Sequence, residues 1–76
     1  MGPGKLVQYI PPQERHRMRA KLNTKYVTAG LVYELDVWTK NGLILIQFVD
    51  RRGKIRTQWY HDKDEFNEEW EAEKCD

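Results

Sequence analysis

The feature that most constrains the fold of this chain is a run of strand-like segments separated by tight turns, from residue 31 to residue 60. Residues 31–38 alternate between two faces, the period of two that is typical of a half-buried strand. Asn41-Gly42 supplies the pair that a type I′ hairpin turn requires. Residues 43–49 are apolar on both faces, which indicates a central strand. Together these segments predict a β-hairpin.

A second turn and a third strand follow the hairpin. Residues 50–53 (Asp-Arg-Arg-Gly) favour a type I turn with a bulge at the glycine. Residues 55–60 then predict a strand whose core-facing side carries Ile55, Thr57 and Trp59. The chain is therefore predicted to be mainly β, a small antiparallel barrel built on a three-stranded meander over residues 31–60.

The segment before the meander is predicted to hold a strand and a basic helix. Residues 5–10 are a short run of strand formers, and Pro11-Pro12 ends it because prolines lack the backbone donor. Pro12 suits the first turn of a helix over residues 13–22, with Met18 and Leu22 on one narrow apolar stripe. The rest of this helix would carry its basic residues, Arg15, Arg17, Arg19 and Lys21. Residues 25–28 favour a further short strand, and residues 1–4 are expected to be disordered.

Residues 62–73 predict an acidic C-terminal helix. Asp62 is a favourable N-cap and Glu65 lies three residues later, which is the spacing of a capping box. Acidic side chains in the first turn also complement the helix dipole. Phe66 and Trp70 are four residues apart, so they are expected to form one apolar patch on the helix.

With 76 residues, the chain has room for one core and is interpreted as a single domain. The residues expected in that core are the apolar members of the meander and of the C-terminal helix. They are Leu31, Tyr33, Leu35, Val37, Ile44, Ile46, Phe48, Ile55, Trp59, Phe66 and Trp70.

The charge of the chain is small in total but unevenly distributed. The net charge is +1, yet residues 1–30 carry six basic side chains against one acidic, and residues 61–76 carry two against eight. The field near each end therefore differs in sign. The single cysteine, Cys75, excludes an intramolecular disulfide, and no apolar stretch is long enough to cross a bilayer. A cytoplasmic protein without a membrane partner is expected.

Catalysis is the least supported class of function. His16 and His61 are far apart, and neither has the spacing of a metal-ligand pair, so both are interpreted as surface histidines. Helix capping explains Asp62 and Asp64 better than acid–base work does. The sequence has no glycine-rich phosphate loop and no nucleophile elbow. Neither an enzyme nor a cofactor or metal is expected.

Two kinds of macromolecular partner are considered, and nucleic acid is the alternative hypothesis. The second turn and the third strand place basic side chains beside an aromatic one, which suits a phosphate backbone and a stacked base. These residues are Arg51, Arg52, Lys54, Arg56 and Tyr60, and the basic helix would add Arg15, Arg17 and Arg19. The same charges could instead keep a small domain soluble, and the acidic C-terminal segment opposes phosphate.

A protein partner is the favoured hypothesis, because small barrels leave function to loops, edge strands and exposed aromatics. Trp38 lies near the first turn on the mixed face of its strand, where it would be a natural anchor if exposed. It could equally cover the open end of the barrel. An unpaired edge such as residues 5–10 could add a partner strand or form a homodimer. The acidic helix suggests a further variant, mimicry of nucleic acid toward a basic protein.

Residues 25–66 resemble small phage and prophage accessory proteins with an SH3-like barrel. The shared pattern is a Gly-x-x-Tyr strand, an acidic-x-x-Gly turn after an apolar strand and a closing Phe. Its representatives in this chain are Gly30, Tyr33, Val49-Asp50, Gly53 and Phe66. The second acidic residue of that turn is replaced by Arg51-Arg52, and the basic helix lies outside the pattern. The resemblance implies a non-enzymatic module that binds and modulates a host or phage protein, in the bacterial cytoplasm if phage-encoded.

Overall fold

In the computed structural model of the chain, residues 11–73 are described, and they form five strands and one short helix. In chain order these elements are β1 (Glu14–Ala20), β2 (Val32–Lys40), β3 (Leu43–Val49), β4 (Ile55–Tyr60), α1 (Lys63–Glu69) and β5 (Trp70–Ala72). Every strand is antiparallel to its neighbours in a single sheet of order β4-β3-β2-β1-β5. The domain is therefore mainly β, as predicted.

Both predicted turns are confirmed. Asn41 and Gly42 have φ angles of 53° and 84°, the left-handed values of a type I′ turn between β2 and β3. Gly53 has a φ of 85°, and its N–H donates to the carbonyl of Asp50 at 2.9 Å, which closes a type I turn between β3 and β4. The three strands of the predicted meander consequently pair in sequence order.

The sheet curls until its two edge strands approach each other. Neighbouring strands lie about 4.8 Å apart, so a flat sheet would hold β4 and β5 roughly 19 Å apart. Instead, the indole Nε1–H of Trp70 on β5 donates to the hydroxyl of Tyr60 on β4 at 2.9 Å. No backbone pairing joins β4 to β5 in the described part of the chain. The sheet thus encloses its core but does not close, so the predicted barrel is wrong for the described residues, which form an open curled sheet.

The core lies on the concave inner face of this curled sheet. Its buried apolar and aromatic residues are Ala20, Val27, Tyr33, Leu35, Val37, Ile44, Ile46, Phe48, Tyr60 and Trp70. Tyr33, Phe48 and Trp70 meet edge to face, with ring centroids 5.5–6.1 Å apart. Seven of the predicted core residues are confirmed as buried: Tyr33, Leu35, Val37, Ile44, Ile46, Phe48 and Trp70. Phe66 is only partly buried and packs against this core.

The predicted basic helix over residues 13–22 is wrong, because this segment forms strand β1. β1 pairs with β2 from Glu14 to Arg19 and with β5 from Met18 to Ala20. This pairing buries Ala20 and partly buries Met18. The burial of apolar side chains that the local pattern assigned to a helix face thus comes from strand pairing with residues distant in sequence. Because side chains alternate along a strand, the three arginines of β1 lie on one face instead of spreading around a helix.

Two other predictions concern the first thirty residues. The loop between β1 and β2 contains no strand, so the short strand predicted at residues 25–28 is wrong, although Val27 enters the core. The strand predicted at residues 5–10 and the disorder predicted at residues 1–4 lie outside the described residues.

The C-terminal helix is shorter than predicted. Asp62 caps it as expected, because its Oδ1 accepts the backbone N–H of Glu65 at 2.9 Å. The helix ends at Glu69, however, and Trp70 opens β5 opposite Ala20. Phe66 and Trp70 therefore share no helical face, and the ring of Phe66 packs on Tyr60 at 5.4 Å instead.

The two sides of β4 are the reverse of those predicted. Ile55 and Trp59, assigned to the core, are 68% and 65% exposed, and Leu31 just before β2 is also exposed. The inner side of β4 instead carries Arg56, which donates to the buried carboxylate of Asp50, and Tyr60, which accepts from Trp70. With these residues facing inward, the period of two turns Ile55 and Trp59 outward.

Candidate interaction surface

The convex face of the sheet, opposite the core and called the outer face below, divides into a charged half and an apolar half. The charged half carries the three arginines of β1 and the acidic residues beside them on β2, on β5 and just after β5: Arg15, Arg17, Arg19, Glu34, Asp36, Glu71 and Glu73. The apolar half, called the apolar patch, spans β2, β3 and β4. Its residues are Trp38, Leu43, Leu45, Val49, Ile55 and Trp59.

The charges of the outer face compensate one another. Arg15 donates its Nε–H to Oδ1 of Asp36 at 2.7 Å, and these residues are opposed across the β1–β2 ladder. Arg17 donates to Oε1 of Glu73 at 2.8 Å. This hydrogen bond from Arg17 holds the pKa of the Glu73 carboxyl below its ordinary value. The charged half thus presents pairs of opposite sign and no large field of one sign.

The apolar patch is organised by strand register. Trp38, Leu45 and Trp59 are direct neighbours across β2, β3 and β4, and Val49 and Ile55 form a second row across β3 and β4. Trp38 and Leu45 are half-buried, whereas Val49, Ile55 and Trp59 are each more than half exposed. Gln47 and Thr57 form a polar row between these two apolar rows. Exposed apolar side chains grouped on one face of a small protein usually mark a site of interaction.

A shallow depression of about 380 Å³ lies where the two halves of the outer face meet. Its walls combine one ion pair with apolar and amide side chains. The outer-face residues that line it are Arg15, Glu34, Asp36, Gln47, Val49 and Ile55. A partner side chain inserted there would contact both halves of the face.

Trp38, predicted either as an exposed anchor or as a cover for the open end, lies on the outer face within the apolar patch. Its neighbour across the ladder is Leu45, and it is half-buried. Trp38 therefore contributes to the rim of a larger surface, while the most exposed aromatic of that surface is Trp59.

The basic turn proposed for nucleic acid is organised around a buried carboxylate. The Asp50 side chain is 1% exposed, and its Oδ1 accepts the backbone N–H groups of Arg52 and Lys54 at 2.8 and 2.9 Å. Its Oδ2 accepts from Nε of Arg56 at 2.8 Å. The hydrogen bond from Arg56, followed by the backbone donors, lowers the pKa of Asp50 to about 2.

The structure uses two of the four basic side chains in this region internally. The guanidinium of Arg56 binds Asp50 and stacks 4.4 Å above the ring of Tyr26. Arg51 donates from Nη1 to the carbonyls of Thr24 and Val27 at 3.0 and 3.2 Å, which fastens the β1–β2 loop to the turn. Arg52 and Lys54 are the exposed members whose side chains make neither a hydrogen bond nor an ion pair among the described residues.

Tyr60 cannot serve as the stacking aromatic that the nucleic-acid hypothesis expected, because it is buried. Its hydroxyl accepts the Nε1–H of Trp70. The same hydroxyl is a donor within reach of two acceptors, Oε1 of Gln58 at 2.7 Å and Oε1 of Glu69 at 2.8 Å. Burial raises the pKa of the Tyr60 phenol, so this hydroxyl stays protonated in the folded protein. It therefore links β4, α1 and β5.

Reasoning from sequence missed the residues that make the apolar patch. Ile55 and Trp59 were assigned to the core because apolar residues that alternate along a strand usually face inward. A signal was nevertheless present: Asp50, Arg56 and Tyr60 are spaced so that all three lie on the same side of the β3–β4 hairpin. A buried carboxylate needs a cation, and that requirement decides which side of β4 faces inward.

The described residues contain neither a candidate metal site nor a helix that could span a membrane. Across residues 11–73, no three His, Cys, Asp or Glu side chains are grouped so that they could hold a metal ion. The ring of His16 bonds Glu14 at 2.7 Å on the exposed part of β1. No helix in the same range has the length and apolar character needed to cross a membrane.

No protein-family model, curated protein or solved structure matches the chain.

Proposed function

We propose that this chain is a non-enzymatic interaction module that binds another protein through the apolar patch of its outer face. The observation that carries the proposal is the exposure of Val49, Ile55 and Trp59 on one side of a sheet whose core lies on the other side. Covering the exposed part of Trp59 would remove on the order of 150 Å² from water, a gross gain of about 3–4 kcal/mol. A surface that can gain this much free energy when it is buried is expected to bind a partner.

The chemistry of the outer face favours an apolar protein surface as the partner. Its basic and acidic side chains are balanced, and Arg15 and Arg17 are paired with Asp36 and Glu73. The face therefore does not select for a strongly charged ligand, and its specificity comes from shape and from tryptophan. The expected partner presents apolar side chains to the patch and polar groups to the ion pairs beside it.

The arrangement is also compatible with the SH3-like phage accessory proteins that residues 25–66 resemble. Gly30 and Gly53 have positive φ, which the turns require, while Tyr33 belongs to the core and Phe66 packs against it. The resemblance supports a module that modulates a host or phage protein in a bacterial cytoplasm. A nucleic-acid function has less support, because Arg51 and Arg56 are engaged internally and Tyr60 is buried.

Affinity capture from a bacterial lysate, with and without nuclease, tests the proposal. The tagged wild-type chain is compared with a patch variant, Ile55→Thr/Trp59→Thr, and with a turn variant, Arg52→Ser/Lys54→Ser. We expect a stoichiometric protein that survives nuclease, binds the turn variant and is lost with the patch variant. Capture that vanishes with nuclease and with the turn variant would instead favour nucleic acid.

A further inference from the structure

We propose that two copies of this chain pair through strand β4, edge to edge, to form one continuous sheet. β4 is the last strand in the order β4-β3-β2-β1-β5, and β5 reaches it through the Trp70–Tyr60 side-chain hydrogen bond without backbone pairing. No strand of the described residues therefore hydrogen-bonds to the free side of β4. The inference goes beyond the proposed function, because it concerns a second copy of this chain bound at the backbone edge of the sheet.

One hydrogen bond shows which residues of β4 direct their backbone groups toward the free side. The N–H of Asp50 donates to the carbonyl of Lys54 at 2.7 Å, which fixes the phase of the β3–β4 ladder. Since hydrogen-bonded residues alternate in an antiparallel pair, Arg56, Gln58 and Tyr60 bond to β3. The N–H and C=O groups of Ile55, Thr57 and Trp59 therefore point to the free side, and all three residues are exposed.

β4 is complementary to a second copy of itself. In an antiparallel pair centred on Thr57, that residue meets Thr57 of the other copy, and Ile55 meets Trp59 on the outer face. Three opposed pairs with two bonds each give about six hydrogen bonds between the copies. Apolar residues meet apolar residues, threonine meets threonine, and no like charges are opposed on this face.

The same register places opposite charges together beyond the ends of β4. The antiparallel pairing brings the β3–β4 turn of one copy to the same end of the interface as the start of α1 in the other. Arg52 and Lys54 of one copy therefore fall at the same end as Asp62 and Asp64 of the other. All four side chains are exposed, and none takes part in an ion pair within the described residues of one copy. The two-fold axis repeats this attraction at the other end.

β4 has few of the features that usually protect an edge strand. Its sequence, Ile-Arg-Thr-Gln-Trp-Tyr, contains no proline and no lysine, and its register with β3 is uninterrupted by a bulge. Its one charged residue, Arg56, points inward, which is itself a protective feature, but Asp50 compensates its charge. Among the described residues, the edge is therefore open to a partner strand.

Charge substitution at the two-fold axis tests this dimer. Thr57→Lys and Thr57→Glu each bring like charges together at the centre, and the exposed position leaves the fold intact. Sedimentation velocity of the full chain should show a dimer for wild type, at least a tenfold weaker dimer for each variant, and a restored dimer when the two variants are mixed. Thr57→Ser and Lys25→Glu are matched controls and should behave like wild type.

Two further measurements separate this interface from others. Arg52→Glu should also raise the dissociation constant of the dimer. Added salt should reduce the difference between the dissociation constants of this variant and of wild type, because salt screens charge pairs. Association through the apolar patch would instead be weakened by Leu43→Thr, a residue of β3 that lies away from the β4 edge and whose replacement should leave the edge-to-edge dimer unchanged. A wild-type chain that remains monomeric at its highest soluble concentration, or a dimer indifferent to the Thr57 charges, would overturn the proposal.

Discussion

At the scale of single residues, Asp50 has the largest influence on which surface the molecule exposes. Its carboxylate is buried at the end of β3 and takes three donors, two from the turn backbone and one from Arg56. Because Arg56 must face inward to reach it, Ile55 faces outward, as does Trp59 further along the strand. One buried acidic side chain thus determines that the apolar side of β4 becomes the outer face.

The depressed pKa of Asp50 predicts acid-sensitive stability. The pKa is lowered from 3.8 to about 2, so the contribution of the carboxylate is complete above about pH 4 and is lost as the pH falls through about 2. Asp50→Asn should lower Tm at neutral pH, and the gap to wild type should narrow between pH 4 and pH 2. Thermal unfolding followed by circular dichroism measures this, and a gap that stays constant over that range would contradict it.

A second prediction concerns the hydroxyl of Tyr60. Tyr60→Phe leaves the buried Nε1–H of Trp70 without its acceptor and removes the donor to Glu69. We expect a loss of about 1–3 kcal/mol in the free energy of unfolding, the usual cost of an unsatisfied buried group. Tyr26→Phe is the matched control, because the Arg56 guanidinium packs on its ring, which the variant keeps. Urea unfolding of both variants gives the comparison, and equal losses would argue against the role of the hydroxyl.

At the scale of secondary structure, the final strand decides whether the sheet holds together. β5 contributes only three residues, yet it brings Trp70, 2% exposed, into the core and pairs with β1. Loss of a buried tryptophan costs about 3–5 kcal/mol, which is most of the stability of a small domain. The helix α1 matters mainly because it carries the chain from β4 on one edge to β5 on the other.

Truncation tests this view of β5. A chain that ends at Glu69 should be unfolded, because it lacks Trp70 and the ladder to β1. A chain that ends at Glu73 retains all of β5 and should fold like the full chain. Near-ultraviolet circular dichroism and the sharpness of thermal unfolding distinguish the two. A cooperative transition in the shorter chain would show that β5 is dispensable.

The sequence could predict those strands and turns whose conformation depends on residues close together in the chain. The meander and its turns could be predicted because alternation, Asn41-Gly42 and Gly53 act over a few residues. β1 could not, because Glu14–Ala20 is rich in arginine and becomes a strand only through partners distant in sequence. The end of α1 was missed for the same reason, since the partner of Trp70 is Ala20, fifty residues earlier. The apolar patch was missed because hydrophobicity was equated with burial.

At the scale of the whole molecule, the two faces of the curled sheet have different roles: the inner face stabilises the fold, and the outer face is the proposed binding surface. The inner face contains the aromatic core, and the outer face combines balanced ion pairs with the apolar patch. Substitutions on the outer face should therefore change stability little, within about 0.5 kcal/mol, whereas they should change binding strongly. The proposed β4 dimer would join two such faces into one surface with a two-fold axis, which suits a partner that is itself symmetric or repeated.

The most direct test of the central claim is the affinity of the captured protein for the patch variant, measured by titration calorimetry. The patch variant, Ile55→Thr/Trp59→Thr, should keep the Tm of wild type and raise Kd at least about 30-fold, equivalent to about 2 kcal/mol from buried anchors. The turn variant, Arg52→Ser/Lys54→Ser, should bind like wild type. An unchanged Kd for the patch variant, with weakened binding of the turn variant, would contradict the assignment of recognition to the apolar patch.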